Sequence, residues 1–248
     1  MVTKSLRFMI ALGSLINFKT WRTFLHTYEA TKFDHDFSVS WSQAGEDLVV
    51  KEILDSIDKG RYLDIGAHHP SRFSVTRHLF QKNWSGVNVD ANQDLLYEFM
   101  KKRPNDVNLN FCVGFEKHCS ITIFREPAIS SIAATWVDRF VQEGNQILEK
   151  RNVPGISLRR LIEENFQNGE LDFLNVDIEG ADLQALESGE FNNLEFRLWP
   201  KWVLLEAKAP ISKSLEIDSV RLMINFGYEP YVALTNVLLL KRPNRISA

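Results

Sequence analysis

The sequence predicts an α/β domain built on a seven-stranded, mostly parallel sheet, with helices on both faces and an antiparallel last strand. Three observations predict it. From residue 45 onward, short apolar runs alternate with segments of helical period, the pattern of a parallel sheet with right-handed crossovers. Four acids, Asp64, Asp90, Asp177 and Glu206, fall at the ends of four such runs, where an open parallel sheet binds its ligands. The stretch YEPYVALTNVLLLKR (228–242) holds two strands joined at Thr235-Asn236 with no helix between them, so one must run against its neighbours.

The elements follow in order. EDLVVKEILDSI (46–57) places Leu48, Val49, Ile53, Leu54 and Ile57 at helical spacing, and Gly60 closes it. RYLDIGA (61–67) is a short buried strand. SVTRHLFQKN (74–83) is a helix capped by Ser74 or Ser71, and SGVNVDA (85–91) is the second strand. NQDLLYEFMKKR (92–103) is a helix with Asn92 as its N-cap, basic residues in its last turn and Pro104 as its stop. DVNLNFCVGF (106–115) is the third strand, and SITIFRE (120–126) alternates like a half-buried strand pairing back. Between Pro127 and Pro154 the pattern is irregular, with a segment able to form a helix over the site. ISLRRLIEENF (156–166) is a helix capped by Ser157. LDFLNVDIEG (171–180) is a strand ending in acids, and ADLQALES (181–188) is helical. KWVLLEA (201–207) is a further strand, and SLEIDSVRLMINFG (214–227) is the last helix. This order fits a class I methyltransferase (Rossmann-like) sheet better than a dehydrogenase sheet.

Composition bounds the reading. The chain has 248 residues, 44% of them hydrophobic, enough for one α/β domain with a sizeable core. A net charge of -3 gives no basic excess for a nucleic-acid surface. Cys112 and Cys119 are too few for a disulfide scaffold or a zinc site and read as reduced, half-buried thiols. LRFMIALGSLI (6–16) is far short of the ~20 residues of a spanning helix, and no small-x-small cleavage site follows it. It reads as a helix docked on the body or on a partner. Residues 1–40 then form an N-terminal helical extension ahead of a single domain at 41–248. A membrane-surface helix and a signal peptide are the next readings of that run. The expected location is cytoplasmic.

The chemistry is concentrated in RYLDIGAHHPSRFSVTRHLFQKNWSGVNVDA (61–91). Asp90, ending the second strand, suits both ribose hydroxyls of an adenosine cofactor. Asp64 and Gly66 sit at the first strand-to-helix turn; Gly66 lets backbone pass close to a ligand, and Asp64 either binds an ammonium or orders the loop. A diphosphate would need crowded backbone N–H groups, yet Gly66 is followed by Ala67, His68, His69 and Pro70, and proline has no N–H. The turn therefore suits an adenosine cofactor without phosphate, S-adenosyl-L-methionine.

SQAGEDLVV, YLDIGAHHPSRFSVTRHLFQKNWSGVNVDAN, LDFLNVDIEGADLQALES and WVLLEA, four separated blocks in order, together resemble the FkbM-type methyltransferases. The resemblance implies methyl transfer from S-adenosylmethionine to a hydroxyl, often on a sugar or polyketide. By position it makes Asp64, Gly66 and the adjoining Ala67 the cofactor turn, Asp90 the ribose-binding acid and Asp177 the acid beside the methionine end. Many members carry DIGANxGxxS where this chain has His68, His69 and Pro70.

O-methylation needs a base for the hydroxyl proton. Asp177, Glu179, Glu206 and His68 are candidates. With Asp177 engaged by the cofactor, Glu179 and His68 are the expected catalytic residues. Asp177, Glu179 and Glu206 also form a possible carboxylate set for a hard divalent cation, though no metal is expected. Gln43 is able to reach the cofactor's carboxylate or the substrate, while Ser42 starts a helix. Trp136 is the aromatic residue best placed for an acceptor contact. The expected acceptor is a hydroxyl-bearing small molecule or glycan, with a sugar of a glycan or glycolipid favoured. An NAD-dependent oxidoreductase, disfavoured by the missing G-x-G-x-x-G, and a non-catalytic adaptor of the same fold are the alternatives.

Overall fold

A computed structural model describes residues 38–244. The expected N-terminal helix lies outside them. Residues from Ser40 onward form one unit.

The central sheet contains β1 (Arg61–Ile65), β2 (Ser85–Asp90), β3 (Val107–Asn110), β7 (Phe173–Val176), β8 (Trp202–Glu206), β9 (Glu229–Ala233) and β10 (Val237–Lys241). Their order is β3-β2-β1-β7-β8-β10-β9. The pairs β1–β2, β1–β7, β2–β3 and β7–β8 are parallel, and β10 runs antiparallel to β8 and β9. This is the expected sheet, with its antiparallel last strand. The chain switches direction across the sheet between β1 and β7, and that crevice is where ligands bind in such folds.

Strand alternation sends successive side chains to opposite faces. On one face, Leu63, Ile65, Val89, Leu174, Val203 and Leu205 share a core with α5 (Leu158–Phe166), α6 (Asp182–Glu187) and α8 (Asp218–Asn225). On the other, Tyr62, Phe173, Leu204 and Leu239 pack with Val50 of α1 (Glu46–Ile53) and Leu79 of α2 (Arg77–Gln81). The same face carries a buried polar cluster that sequence did not announce. Arg103 is 0% exposed and donates to the Tyr62 and Ser74 hydroxyls, to Thr76 and to the Pro70 carbonyl. Tyr62 in turn donates to Asp106. The cluster ties the turn after β1 to the end of α3 (Gln93–Lys102), and these contacts offset the cost of burying the guanidinium, of which Nε alone has no hydrogen-bond partner among the described residues.

Several elements differ from expectation. The run 106–115 splits into β3 and β4 (Cys112–Val113), and β4 joins a second sheet of order β4-β6-β5. There β5 (His118–Phe124) pairs antiparallel with β6 (Ile147–Ile156), a strand within the irregular region, rather than back onto β3. The helical segment in that region is α4 (Ala134–Gln142). Cys112 and Cys119 are not free thiols. They are joined as a disulfide, both buried, because β4 and the start of β5 flank β6 with the two Cα atoms 6.2 Å apart. Ser74 and Ser71 do not cap α2, since their hydroxyls accept from Arg103 and Arg77 and the cap position is Thr76. Gly45, not Ser42, is the cap residue of α1, although the Ser42 hydroxyl accepts the Gly45 and Asp47 N–H groups. That helix ends at Ile53, short of Gly60, and the last helix begins at Asp218 after a separate turn, α7 (Ile211–Ser214). Asn92 and Ser157 cap α3 and α5 as expected.

Candidate active site

The carboxyl ends of β1, β2 and β7 open onto a cavity walled by Ile65, Val89, Phe111 and Val113, with Asp90 and Asp177 on its rim. Asp90 ends β2 and accepts the His68 N–H at 2.9 Å and the Asn92 N–H at 2.7 Å, one on each oxygen. A carboxylate has about four lone-pair sites, so both oxygens keep capacity for ligand hydroxyls. Burial pushes its pKa up to about 6 against the pull of those two N–H groups.

Gly66 lines this cavity at φ +79°, and a Cβ there would stand 1.9 Å from the Asp177 carbonyl oxygen. The glycine is therefore required by the close approach of the β1 turn to the β7 turn, as well as by its left-handed backbone. His68 also adopts a left-handed φ of 54°, which aims its N–H at Asp90. His68 lines the cavity, and its ring lies 6.0 Å from that of Phe73, with Nδ1 buried and unpartnered among the described residues. Burial, with Arg72 and His69 adding to it, depresses its pKa to about 4.

Three expected cofactor residues are not on this cavity's wall: Asp64, Ala67 and Gln43, the last of which lines a second cavity. Asp64 is 2% exposed, and its oxygens accept from Thr76 at 2.6 Å and Asn175 at 2.9 Å. It orders the loop, the second of its two expected roles. Ala67 turns its methyl into a small core with Leu96 and Phe99; its N–H joins that of Gly66 on the Val89 carbonyl.

Asp177 and Glu179 form a wall shared with a second cavity, which Gln43, Glu46, Phe73 and Glu206 also line. The carboxylates of Asp177, Glu179 and Glu206 each offer an oxygen within 4.8 Å of the others. Asp177 is open to the cavities but closely ringed by protein elsewhere. That crowding, then the charges of Glu206 and Glu179, raises its pKa well above the ordinary carboxylate value. Burial and Glu206 likewise raise Glu179 to about 7, partly offset by Lys208. Its Oε2 is buried with no hydrogen-bond partner among the described residues. Glu179 sits at φ 45°, a costly conformation for a residue with a side chain, followed by Gly180 at φ +94°. Lys208, which sequence reasoning passed over, contacts Glu206 and stands 3.9 Å from Glu179. Its signal was a lysine two residues beyond a strand-end acid. Asp182, likewise missed, sits in the repeated acids of DIEGAD and is raised to about 6 by burial and Glu206.

The cavity suits a cofactor with a flat apolar base, a diol and a cationic tail. Its walls are aliphatic and aromatic, Asp90 faces it as an acceptor, and an acid cluster stands at the far side. The unpartnered Glu179 Oε2 is a buried acceptor for which a bound cation or hydroxyl is a fitting partner. Comparison with known proteins agrees. The Methyltransferase FkbM domain matches residues 64–230.

The chain belongs to the FkbM methyltransferase family.

This FkbM methyltransferase therefore uses S-adenosylmethionine. A TehB-like SAM-dependent methyltransferase from Corynebacterium glutamicum is a structural neighbour at 11% identity, with a TM-score of 0.40, 92% of this chain covered and 100% of that one. No curated protein matches the sequence. Among the described residues, no helix of the methyltransferase is long and apolar enough to cross a membrane.

Proposed function

We propose that this methyltransferase transfers the methyl group to a hydroxyl oxygen of a sugar, with Glu179 as general base. The observation that carries the reading is the position of Glu179. It stands in the wall common to the cofactor cavity and the second cavity, with an unpartnered buried oxygen and a pKa near 7. A base works best when its pKa lies near the working pH, because it is then both ionised and able to hold a proton. His68, at about 4, is a weak proton acceptor, and its backbone N–H is committed to Asp90. It falls to the cofactor side.

When bound, S-adenosylmethionine supplies a methyl group on a sulfonium whose sulfur keeps the electron pair of the broken bond. The chain's own residues do the rest. Asp90 accepts hydroxyls of the ribose. Asp177 offers the cationic end a carboxyl, whose ionised form the incoming positive charge would favour. Glu179 receives the acceptor's hydroxyl proton as its oxygen bonds to the methyl carbon. Gln43, on the wall of the second cavity, offers both a donor and an acceptor to the cofactor's carboxylate or the substrate.

The test is transfer from radiolabelled S-adenosylmethionine to a panel of sugars, phenols and thiols, with products identified by mass and NMR. The expected product is a sugar methyl ether. Methylation confined to a phenol or thiol overturns the reading. The acid cluster also has the composition of a divalent-cation site, but the Lys208 ammonium already sits against it. A chelator is expected to leave turnover unchanged, and restoration of lost turnover by Mg²⁺ would make these acids metal ligands.

A further inference from the structure

Beyond the acid cluster, the second cavity shares Glu206 and Lys208 with an open groove of about 590 Å³, a size common for small-molecule sites. Trp136, Arg139, Asp182, Ile217 and Ser219 line this groove. The second cavity thus adjoins the cofactor cavity through Asp177 and Glu179 and the groove through Glu206 and Lys208.

Trp136 is held in place from several sides. Its indole rests on Gly180, where a Cβ would stand 2.1 Å from Cδ1. Gly180 directly follows Glu179, so the indole is fixed relative to the base. The Ser131 hydroxyl donates to the Glu179 carbonyl at 2.8 Å and accepts the Ala133 N–H at 3.0 Å, tying the start of α4 to the same turn. Phe140 backs the indole at 5.6 Å and is itself packed on Phe124. Arg139 and Lys208 stand 5.2 and 5.7 Å from the ring. Among the described residues, the indole N–H has no acceptor.

We propose that this groove is the acceptor subsite and that Trp136 makes it selective for a polyhydroxylated, sugar-like acceptor. The proposal rests on the reading of Glu179 as base, whose carboxylate belongs to the same acid cluster as Glu206 of the groove wall. The groove offers donors (Arg139, Lys208, Ser219, the indole N–H) and acceptors (Asp182, Asp218) around one aromatic ring. Vicinal hydroxyls use both kinds of partner, and the C–H face of a sugar packs on an aromatic ring. A plain phenol or aliphatic alcohol would leave most of these groups unmatched, which selects against it.

The experiment uses the full chain, with methyl hexopyranosides and labelled tri- and tetrasaccharides as probes and phenols as controls. For a sugar that the wild type methylates, Trp136→Leu is expected to raise the acceptor KM about three- to tenfold, with kcat and the S-adenosylmethionine affinity near wild type and Trp136→Phe in between. Sugar methylation unaffected by Trp136→Leu overturns the groove while leaving the sugar reading intact. Methylation of phenols alone overturns both. A second measurement needs no turnover: the indole N–H resonance of Trp136, assigned by its loss in Trp136→Phe, is followed on protein loaded with S-adenosylhomocysteine. It is expected to shift on titration with at least one sugar, and no shift with any sugar of the panel overturns the proposal.

Discussion

Asp90 and Asp64 show what an acid at a strand end means at the scale of single residues. Both lie near the carboxyl ends of strands in a ligand-binding sheet, yet Asp90 lines the cavity and Asp64 does not. The place of Asp90 on the cavity was legible in the spacing because the end of the second strand is a fixed position in such folds. Nothing local marks Asp64 as structural, since one of its partners, Asn175, lies 111 residues away. Replacing Asp90 with alanine is expected to cost about 1.5–3 kcal/mol of S-adenosylmethionine binding, as for a lost hydrogen bond to a charged group. Calorimetry on a variant with native circular dichroism checks this, and unchanged affinity removes Asp90 from the cofactor shell. An ordinary histidine pKa makes His68 a candidate base, but burial first and then the Arg72 guanidinium move it the wrong way, which only the folded environment reveals. The variant His68→Asn is accordingly expected to lower kcat far less than Glu179→Gln does, in a direct comparison of the two under saturating acceptor.

At the scale of elements, the cofactor turn depends on close backbone packing. Gly66→Ala would force a Cβ into the Asp177 carbonyl while holding a left-handed φ. The backbone conformation alone costs about 1–2 kcal/mol for a residue with a side chain, and the overlap adds to it. A lowered melting temperature together with weaker S-adenosylmethionine binding is expected, and an alanine variant as stable and as tight-binding as the wild type would show the turn to be loosely packed. The helices capped by Asn92 and Ser157 were legible because a side-chain cap is a local device. The arm of β5 and β6 was not. Along β6 only Val153 and Ile156 are buried, so its apolar signal is too sparse to declare a strand, and Pro154 within it reads as a breaker. That arm nevertheless brings Cys112 to Cys119, and the segment carrying Trp136 connects its two strands.

For the whole molecule, the mostly parallel sheet and its antiparallel last strand were legible because the alternation of elements and the final hairpin restrict the topology strongly, whereas the order of the strands across the sheet depends on long-range pairing that no local pattern reports. The convergence of Glu179, Glu206 and Lys208 was legible only in part, since it depends on how two neighbouring strand ends meet. This convergence carries a cost at neutral pH. Glu179, at about 7, and Asp90 and Asp182, at about 6, hold protons in the folded protein that an unfolded chain releases near pH 4. Their contribution to stability is present below the unfolded values and is lost as pH rises through the folded ones. Glu179→Gln, which stays neutral, is therefore expected to gain melting temperature relative to wild type between pH 5 and pH 8; a constant difference would mean that the Glu179 carboxyl titrates normally. The same property defines the chemistry, and the most direct test is the rate of methyl transfer as a function of pH. In the wild type the rate is expected to rise as pH passes through about 7, where Glu179 loses its proton, and then to level off. In Glu179→Gln it is expected to fall by about 10²–10⁴-fold and to lose that rise, with S-adenosylmethionine still bound. A variant that methylates at the wild-type rate, or keeps the same pH profile, would contradict the assignment of Glu179 as base.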